Sequence, residues 1–189
     1  MKKTLIFALA LLALFCAHAE KAYGKLDDKP IFSVEYDGKA FKMDDTVYSD
    51  ENAADFRFHF LLQNEMNDVI SCMEYVPEYR DFSSYLATEA ELSEYAAGFD
   101  GSDAGFTYEF VEIYRVKVRN GACEAVLPFV IMKVDDREEH MDSYYAETVS
   151  HGWAVYIEVY NNVRDTVDEA DLRLLKSILD AFTPISDGK

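Results

Sequence analysis

The chain is short of the residue types on which most enzymes and metal sites depend. Its 189 residues include three cysteines, one tryptophan and four histidines, and the histidines are scattered singly. No H-x-x-x-H or H-E-x-x-H spacing is present, so the sequence offers no zinc-type ligand pair. It also has no G-x-S-x-G turn, the common signature of a serine hydrolase. The sequence therefore predicts a protein that is not an enzyme.

Basic side chains are scarce as well. Lysine and arginine number 18 against 36 aspartates and glutamates, which gives a net charge of −18. Such a field repels nucleic-acid phosphates and anionic lipid surfaces, so we expect neither as a partner. The negative charge favours binding of cations or of a basic protein surface, and it also promotes solubility.

Long apolar runs are absent except at the N-terminus. Lys2 and Lys3 precede the run Leu5–Phe15, which is too short to span a bilayer, and Ala17-His18-Ala19 matches a small-x-small cleavage pattern. We therefore expect residues 1–19 to be a cleaved signal peptide and residues 20–189 to form one domain. The domain is expected to be periplasmic or secreted, to lack stable membrane insertion, and to carry a net charge of −20 without Lys2 and Lys3.

Two cysteines, Cys72 and Cys123, follow the expected cleavage site, and both lie in predicted strands. An oxidising compartment allows a disulfide between them. Two buried free thiols are the alternative, because unpaired cysteine is itself often buried.

The strongest structural signal is the stretch 106–136, in which two β-rich runs flank Asn120-Gly121. This dipeptide predicts a β-hairpin with a two-residue turn. In that register Arg119 would face Ala122 and Lys117 would face Glu124. Pro128 removes one donor from the second strand, so we expect an edge or a bulge there.

Alternating apolar residues predict further strands. Residues 20–29 are expected to be a loose lead-in, and Asp37-Gly38 predicts an opening hairpin between Ile31–Tyr36 and Ala40–Met43. Phe56, Phe58, Phe60 and Leu62 recur at every second position, which predicts one aromatic strand face. The remaining predicted strands are Val69–Val76, Asp142–Val149 and Trp153–Tyr160.

Apolar residues at helical spacing predict two amphipathic helices, Phe82–Phe99 and Asp168–Phe182. Asp168 or Thr166 can cap the second helix, and Pro184 prevents its continuation. Strands joined by short turns favour a mostly antiparallel sheet, and the helices need its apolar surface. The predicted fold class is α+β.

This order of elements resembles the PsbP/Mog1-like family. The resemblance is carried by FSVEYDGKAFKM near the start, ISCMEYVPEYRDFSSYLATEAELSEYAAGF in the middle, and WAVYIEVYNN with LRLLKSILDAF at the end. It implies an α/β/α sandwich. It also implies a non-catalytic binding or assembly role.

Candidate site residues are few. A binding face could be lined by Glu112, Tyr144, Tyr145, Trp153 and Tyr156, although core packing alone also explains such aromatic residues. Glu112 is the one acid on an apolar strand face, so it needs a partner, a raised pKa or an uncovered position. The loop Asp100–Gly105 resembles the start of a calcium loop but lacks the acid at the twelfth position. We expect no cofactor, and the acidic loops are compatible with weak calcium binding.

These observations lead to one functional hypothesis and two alternatives. We expect an exported, non-enzymatic binding or accessory protein of the bacterial envelope that contacts a protein partner. A lipocalin-like carrier of a small apolar ligand is the alternative from another class. A hydrolase is disfavoured, because no motif supports one.

Overall fold

The computed structural model describes residues 18–26, 29–44, 56–75, 88–97, 101–103, 105–120, 123–150 and 153–185. Most of the expected signal peptide lies outside them. The strands are β1 (Ala19–Leu26), β2 (Lys29–Asp37), β3 (Lys42–Asp44), β4 (Phe56–Gln63), β5 (Asn67–Tyr75), β6 (Gly101–Asp103), β7 (Phe106–Asn120), β8 (Cys123–Asp136), β9 (Met141–Ser150), β10 (Trp153–Asn161) and β11 (Phe182–Pro184). The helices are α1 (Glu89–Ala97) and α2 (Glu169–Asp180).

The strands form two antiparallel sheets. The large sheet has the order β3-β4-β5-β10-β9-β8-β7-β6, and the small sheet has the order β1-β2-β11. The mostly antiparallel sheet with two helices is therefore confirmed in the described residues. No described helix is long and apolar enough to cross a membrane.

One face of the large sheet, which we call the core face, is covered by α2 and the small sheet. Phe182 of β11 stacks on Phe32 of β2 with ring centroids 4.9 Å apart, and it meets Phe129 of β8 edge-on at 5.4 Å. Phe32 lies over Gly24, where an added Cβ would come within 2.0 Å of the ring. A side chain at position 24 would displace this aromatic contact between the sheets.

Helix α2 is attached to the core face through its first turn. Asp168 caps the helix by accepting a hydrogen bond from the N–H of Ala170 at 2.7 Å. The buried Asp171 carboxylate accepts from Asn67 at the start of β5 and from Asn161 at the end of β10, at 2.8 and 3.0 Å. It also pairs with Arg164 at 3.1 Å. Four apolar residues of the helix are buried: Leu172, Leu175, Ile178 and Leu179.

The opposite face, which we call the tyrosine face, carries Tyr145, Tyr156 and Tyr160. Leu92 of α1 packs there against a small apolar cluster made of Val130, Met132, Val149 and Ala154. The two helices thus contact opposite faces of the same sheet.

The first helix is shorter than predicted. It begins after Thr88, whose hydroxyl accepts from the N–H of Glu91 while the Glu91 carboxylate accepts from the N–H of Thr88, at 3.2 and 3.0 Å. This capping box marks the N-terminus of α1. The caps predicted at residues 81–84 lie outside the described residues.

The N-terminal predictions were wrong in two respects. Residues 20–29 are not a loose lead-in, because β1 pairs along β2 from Ala19 opposite Asp37 onward. The opening hairpin does not form either. Asp37-Gly38 makes a tight turn, but β3 then joins β4 in the large sheet instead of pairing with β2.

The central hairpin forms in a different register from the one predicted. Asn120 pairs with Cys123 and Arg119 with Glu124, so the two residues between the strands are 121 and 122. Each predicted partner is shifted by two positions, which leaves every side chain on its expected side of the strand. Pro128 lies where β8 is locally an edge, as predicted, because pairing with β9 begins only at Val130.

Two further elements correct the sequence pattern. A bulge between Phe58 and Phe60 puts Phe58 on the tyrosine face, opposite Cys72, and Phe60 on the core face, so the predicted single aromatic face is wrong. Helix α2 ends at Asp180, before the predicted Phe182. Phe182 instead begins β11, which pairs with β2.

Candidate functional site

Tyrosine and glutamate alternate across the centre of the tyrosine face. Side chains two apart on a strand share a face, so Tyr145 lies beside Glu147 and Tyr156 beside Glu158. In the pairing of β9 with β10, Tyr145 is opposite Glu158 and Tyr156 is opposite Glu147. The two tyrosine rings stack with centroids 5.2 Å apart and planes 30° apart.

Hydroxyl groups satisfy the carboxylates of this face. Tyr145 donates to Glu147 Oε2 at 2.9 Å, and Tyr156 donates to Glu74 Oε2 on β5 at 2.8 Å. Ser143 donates to Glu158 Oε1 at 2.5 Å. These bonds fix the orientation of both stacked tyrosines.

Burial dominates the electrostatics of this region. Glu147 is fully buried. Burial raises the pKa of Glu158, while hydrogen bonds from Ser143 and Tyr160 partly offset the rise. Burial also raises the pKa of Tyr160, and Glu158 raises it further. The carboxyl group of Glu158 and the hydroxyl group of Tyr160 therefore keep their protons to a higher pH than they would in water.

Cys72 lies in this centre, opposite Tyr156. It is a free, buried thiol whose pKa burial and the nearby Glu158 raise to about 12. Of the two alternatives, Cys72 is therefore the buried free thiol and not half of a disulfide. Cys72 in β5 and Cys123 in β8 are separated by β10 and β9, about 14 Å in strand spacings, which exceeds the reach of a bridge.

The tyrosine face continues outward to an exposed aromatic row on β7, formed by Phe106, Tyr108 and Phe110. Phe110 is opposite Met132, which is opposite Tyr145, so the row and the stacked tyrosines lie on one surface. Phe106 and Phe110 are 38% and 44% exposed, and the rings of Phe106 and Tyr108 are 6.3 Å apart. Large apolar groups left in water in this way favour a contact surface.

The structure brings together two of the five residues predicted for a binding face. Tyr145 and Tyr156 stack on the tyrosine face. Tyr144 is buried on the core face. Trp153 also lies on that side, with its ring 5.1 Å from that of Tyr75.

Glu112 is the fifth predicted residue, and it also lies on the core face, opposite Ile131. It forms an ion pair with Lys176 of α2. The Lys176 ammonium lies 5.3 Å from the centre of the Tyr114 ring, and Tyr114 donates to Asp180 at 2.9 Å. Of the three alternatives for Glu112, the structure therefore shows the partner, which is Lys176 of α2.

Sequence reasoning missed Glu147 and Glu158 as members of the face. A signal was available, because Tyr145-Ala146-Glu147 and Tyr156-Ile157-Glu158 repeat one Tyr-x-Glu spacing on neighbouring strands. Such spacing places both polar groups on the same strand face. Only two residues separate β9 from β10, so the pairing that sets these strands side by side was also predictable from the sequence.

Metal ligation has little support from the described residues. No group of three or more His, Cys, Asp or Glu side chains among them is arranged to hold a metal ion. Part of the stretch that resembles a calcium loop, Gly101–Asp103, is strand β6 and pairs with β7. Calcium binding by the acidic loops stays a prediction.

Comparison with known proteins shows a likeness to solved structures but not to known sequences. No protein-family model matches the sequence, and no curated protein matches it. The chain is similar to the solution structure of cyanobacterial PsbP (CyanoP) from Synechocystis sp. PCC 6803, with a TM-score of 0.49 and 11% sequence identity. The match covers 89% of this chain and 93% of that chain. Likeness to Mog1 stays a prediction.

Proposed function

We propose that the chain is an exported, non-enzymatic accessory protein of the bacterial envelope that acts by binding a protein partner. The contact surface is the aromatic row of β7 together with the adjoining part of the tyrosine face. Export after signal-peptide cleavage and the α/β/α layering of the PsbP/Mog1-like family are parts of the same proposal.

The observation that carries the proposal is the exposure of Phe106 and Phe110 on one strand face. Aromatic side chains supply large contact areas at low entropic cost and often anchor protein interfaces. Met132, the cross-strand neighbour of Phe110 on the same face, is 1% exposed, so the row adjoins a packed part of the sheet. A rigid aromatic surface of this kind suits recognition of a protein.

A non-enzymatic role agrees with the state of the most reactive group on the same face. The Cys72 thiol is buried, and its pKa of about 12 keeps it protonated at neutral pH. The large sheet is also open between β3 and β6 in the described residues. A lipocalin-like carrier instead closes its sheet around a cavity, so we favour the protein partner.

The test is co-purification from the native envelope with wild type and with a Phe106→Ser/Phe110→Ser variant. We expect a defined partner with wild type and its loss with the variant. A Met66→Ser/Val163→Ser variant is the matched control, because these residues are 50% and 64% exposed but lie away from β7. Equal recovery with both variants would contradict the proposal.

A further inference from the structure

A basic row follows the aromatic row along β7. Arg115, Lys117 and Arg119 lie at alternate positions, and all three side chains are exposed. Three bases within five residues stand out in a chain with twice as many acids as bases. The row is a local cationic strip on an acidic protein.

Neither Lys117 nor Arg119 is held by a strong ion pair with a described residue of the hairpin. Arg119 approaches Glu124 at 3.7 Å, but these side chains are 81% and 78% exposed, so the pair contributes little to stability. Lys117 forms no ion pair with a described residue, and its cross-strand neighbour is Val126.

A bulge joins the aromatic and basic rows on one face. The pairing with β8 shifts between Phe110 and Glu112, so Ile113 returns to the tyrosine face opposite Val130. Arg115, Lys117 and Arg119 then continue on that face. Without the extra residue, this half of β7 would turn its bases toward the core face.

Among the described residues, nothing pairs with the outer edge of β7 along the basic row. Strand β6 pairs only with Phe106–Tyr108, and no described strand pairs with that edge from Glu109 to Asn120. An open edge presents main-chain donors and acceptors that another extended chain can use.

We propose that this edge binds an extended acidic protein segment by strand addition. Acidic side chains of the segment contact the basic row, and apolar side chains at its other end contact Phe110 and Ile113. The bases repeat about every 7 Å, which is the repeat of alternate side chains on any added strand. This inference rests on the proposed function and names the chemistry of its partner.

The test uses a fluorescein-labelled peptide of about ten residues whose alternate residues are glutamate in one half and valine in the other, with threonine between them, so that both kinds of side chain share one face of an added strand. It is titrated against the protein by fluorescence anisotropy. We expect saturable binding that weakens with added salt. Arg115→Glu/Lys117→Glu/Arg119→Glu is expected to weaken binding about tenfold or more. The matched charge control reverses Lys21, Lys39 and Lys42, which are exposed away from β7, and is expected to bind like wild type.

A second peptide separates strand addition from simple charge attraction. It carries the same side chains but is N-methylated at alternate amides, so it cannot complete a ladder with the edge. We expect at least about a tenfold loss, whereas equal binding would overturn strand addition. If the triple variant does not fold, as judged by its thermal transition, the single variant Lys117→Glu replaces it.

Two outcomes distinguish this inference from the proposed function. No binding of the alternating peptide overturns the inference alone, provided that Phe106 and Phe110 still govern recovery of the envelope partner. If recovery of the envelope partner does not depend on Phe106 and Phe110, the proposed function is overturned. Sedimentation with anionic phosphatidylglycerol vesicles that depends on the basic row, without peptide binding, would assign the row to a membrane and contradict the inference.

Discussion

The two faces of the large sheet are built from the same strands and differ in chemistry. On β10 the core face receives Val155 and Ile157, whereas the tyrosine face receives Tyr156 and Glu158. The first pair packs beneath α2 and the small sheet. The second pair is held by hydroxyl–carboxylate hydrogen bonds and adjoins exposed aromatics on β7.

This difference separates stability from recognition. The core face gains stability mainly by removing apolar area from water, which is non-directional. The tyrosine face buries carboxylates, and burying a carboxylate costs free energy unless defined hydrogen-bond partners are present. Core-face substitutions should therefore change the free energy of unfolding most, and substitutions at the rim of the tyrosine face should change binding most.

The largest expected effect is on the core face. Leu175→Ala removes a fully buried side chain of α2 and should lower the free energy of unfolding by about 2–5 kcal/mol. Urea denaturation measures the loss. Arg173→Ala, on the exposed side of the same helix, is the control and should cost less than about 0.5 kcal/mol. Similar losses for both variants would show that α2 is not anchored by its apolar stripe.

Asp171→Ala should have the next largest effect, about 3 kcal/mol, because it leaves the amides of Asn67 and Asn161 without their acceptor. Asp168→Ala, at the N-cap of the same helix, is the matched control. It removes the exposed cap and the exposed ion pair with Arg164, so it should cost clearly less than Asp171→Ala. Both values come from urea denaturation, and equal losses would mean that the buried contacts of Asp171 add nothing to capping.

Glu158→Gln should have a smaller, pH-dependent effect. Burial raises the pKa of Glu158, so the folded state holds this proton to a higher pH than the unfolded chain does. Stability therefore falls as pH rises from the unfolded pKa of about 4.3 toward the folded pKa, and it stays lower above it. Glutamine does not ionise, so the variant does not lose this stability as pH rises.

The Tm of Glu158→Gln should thus exceed that of wild type near neutral pH, and the difference should shrink at about pH 4. Differential scanning fluorimetry across this range measures it. Glu124→Gln on the exposed hairpin tip is the control. A Tm difference that does not vary with pH would refute the raised pKa.

The smallest expected effect concerns Glu112 and Lys176. Their side chains are 37% and 28% exposed, so solvent screens the ion pair between them. A double-mutant cycle with Glu112→Gln and Lys176→Met should give a coupling energy below about 1 kcal/mol. A coupling of several kcal/mol would instead make Glu112 an essential anchor of α2.

Local patterns predicted much of the fold, and distant pairings account for most of what they missed. The periodicity of α2 and the alternation of β7 to β10 are visible in the sequence, because burial repeats every 3.6 or 2 residues. The pairing of β5 with β10, and of β11 with β2, joins segments far apart in the chain. No local pattern records such contacts.

The site was predictable only in part for a related reason. Tyr144 and Tyr145 are adjacent on one strand, so they point to opposite faces and cannot share a binding surface. The bulge of β4 reverses the alternation of Phe58 and Phe60, and such a single-residue insertion has no clear sequence signature. The aromatic row of β7 was visible as a pattern, but its exposure depends on how far α1 covers the sheet.

The most direct test of the division between the two faces is photo-crosslinking in the native envelope. A benzophenone amino acid replaces Phe110 in one variant and Val163, which is 64% exposed away from β7, in another. We expect a discrete protein adduct from position 110 and none from position 163. The same adduct from both positions, or none from position 110, would contradict the assignment of recognition to the tyrosine face and its aromatic row.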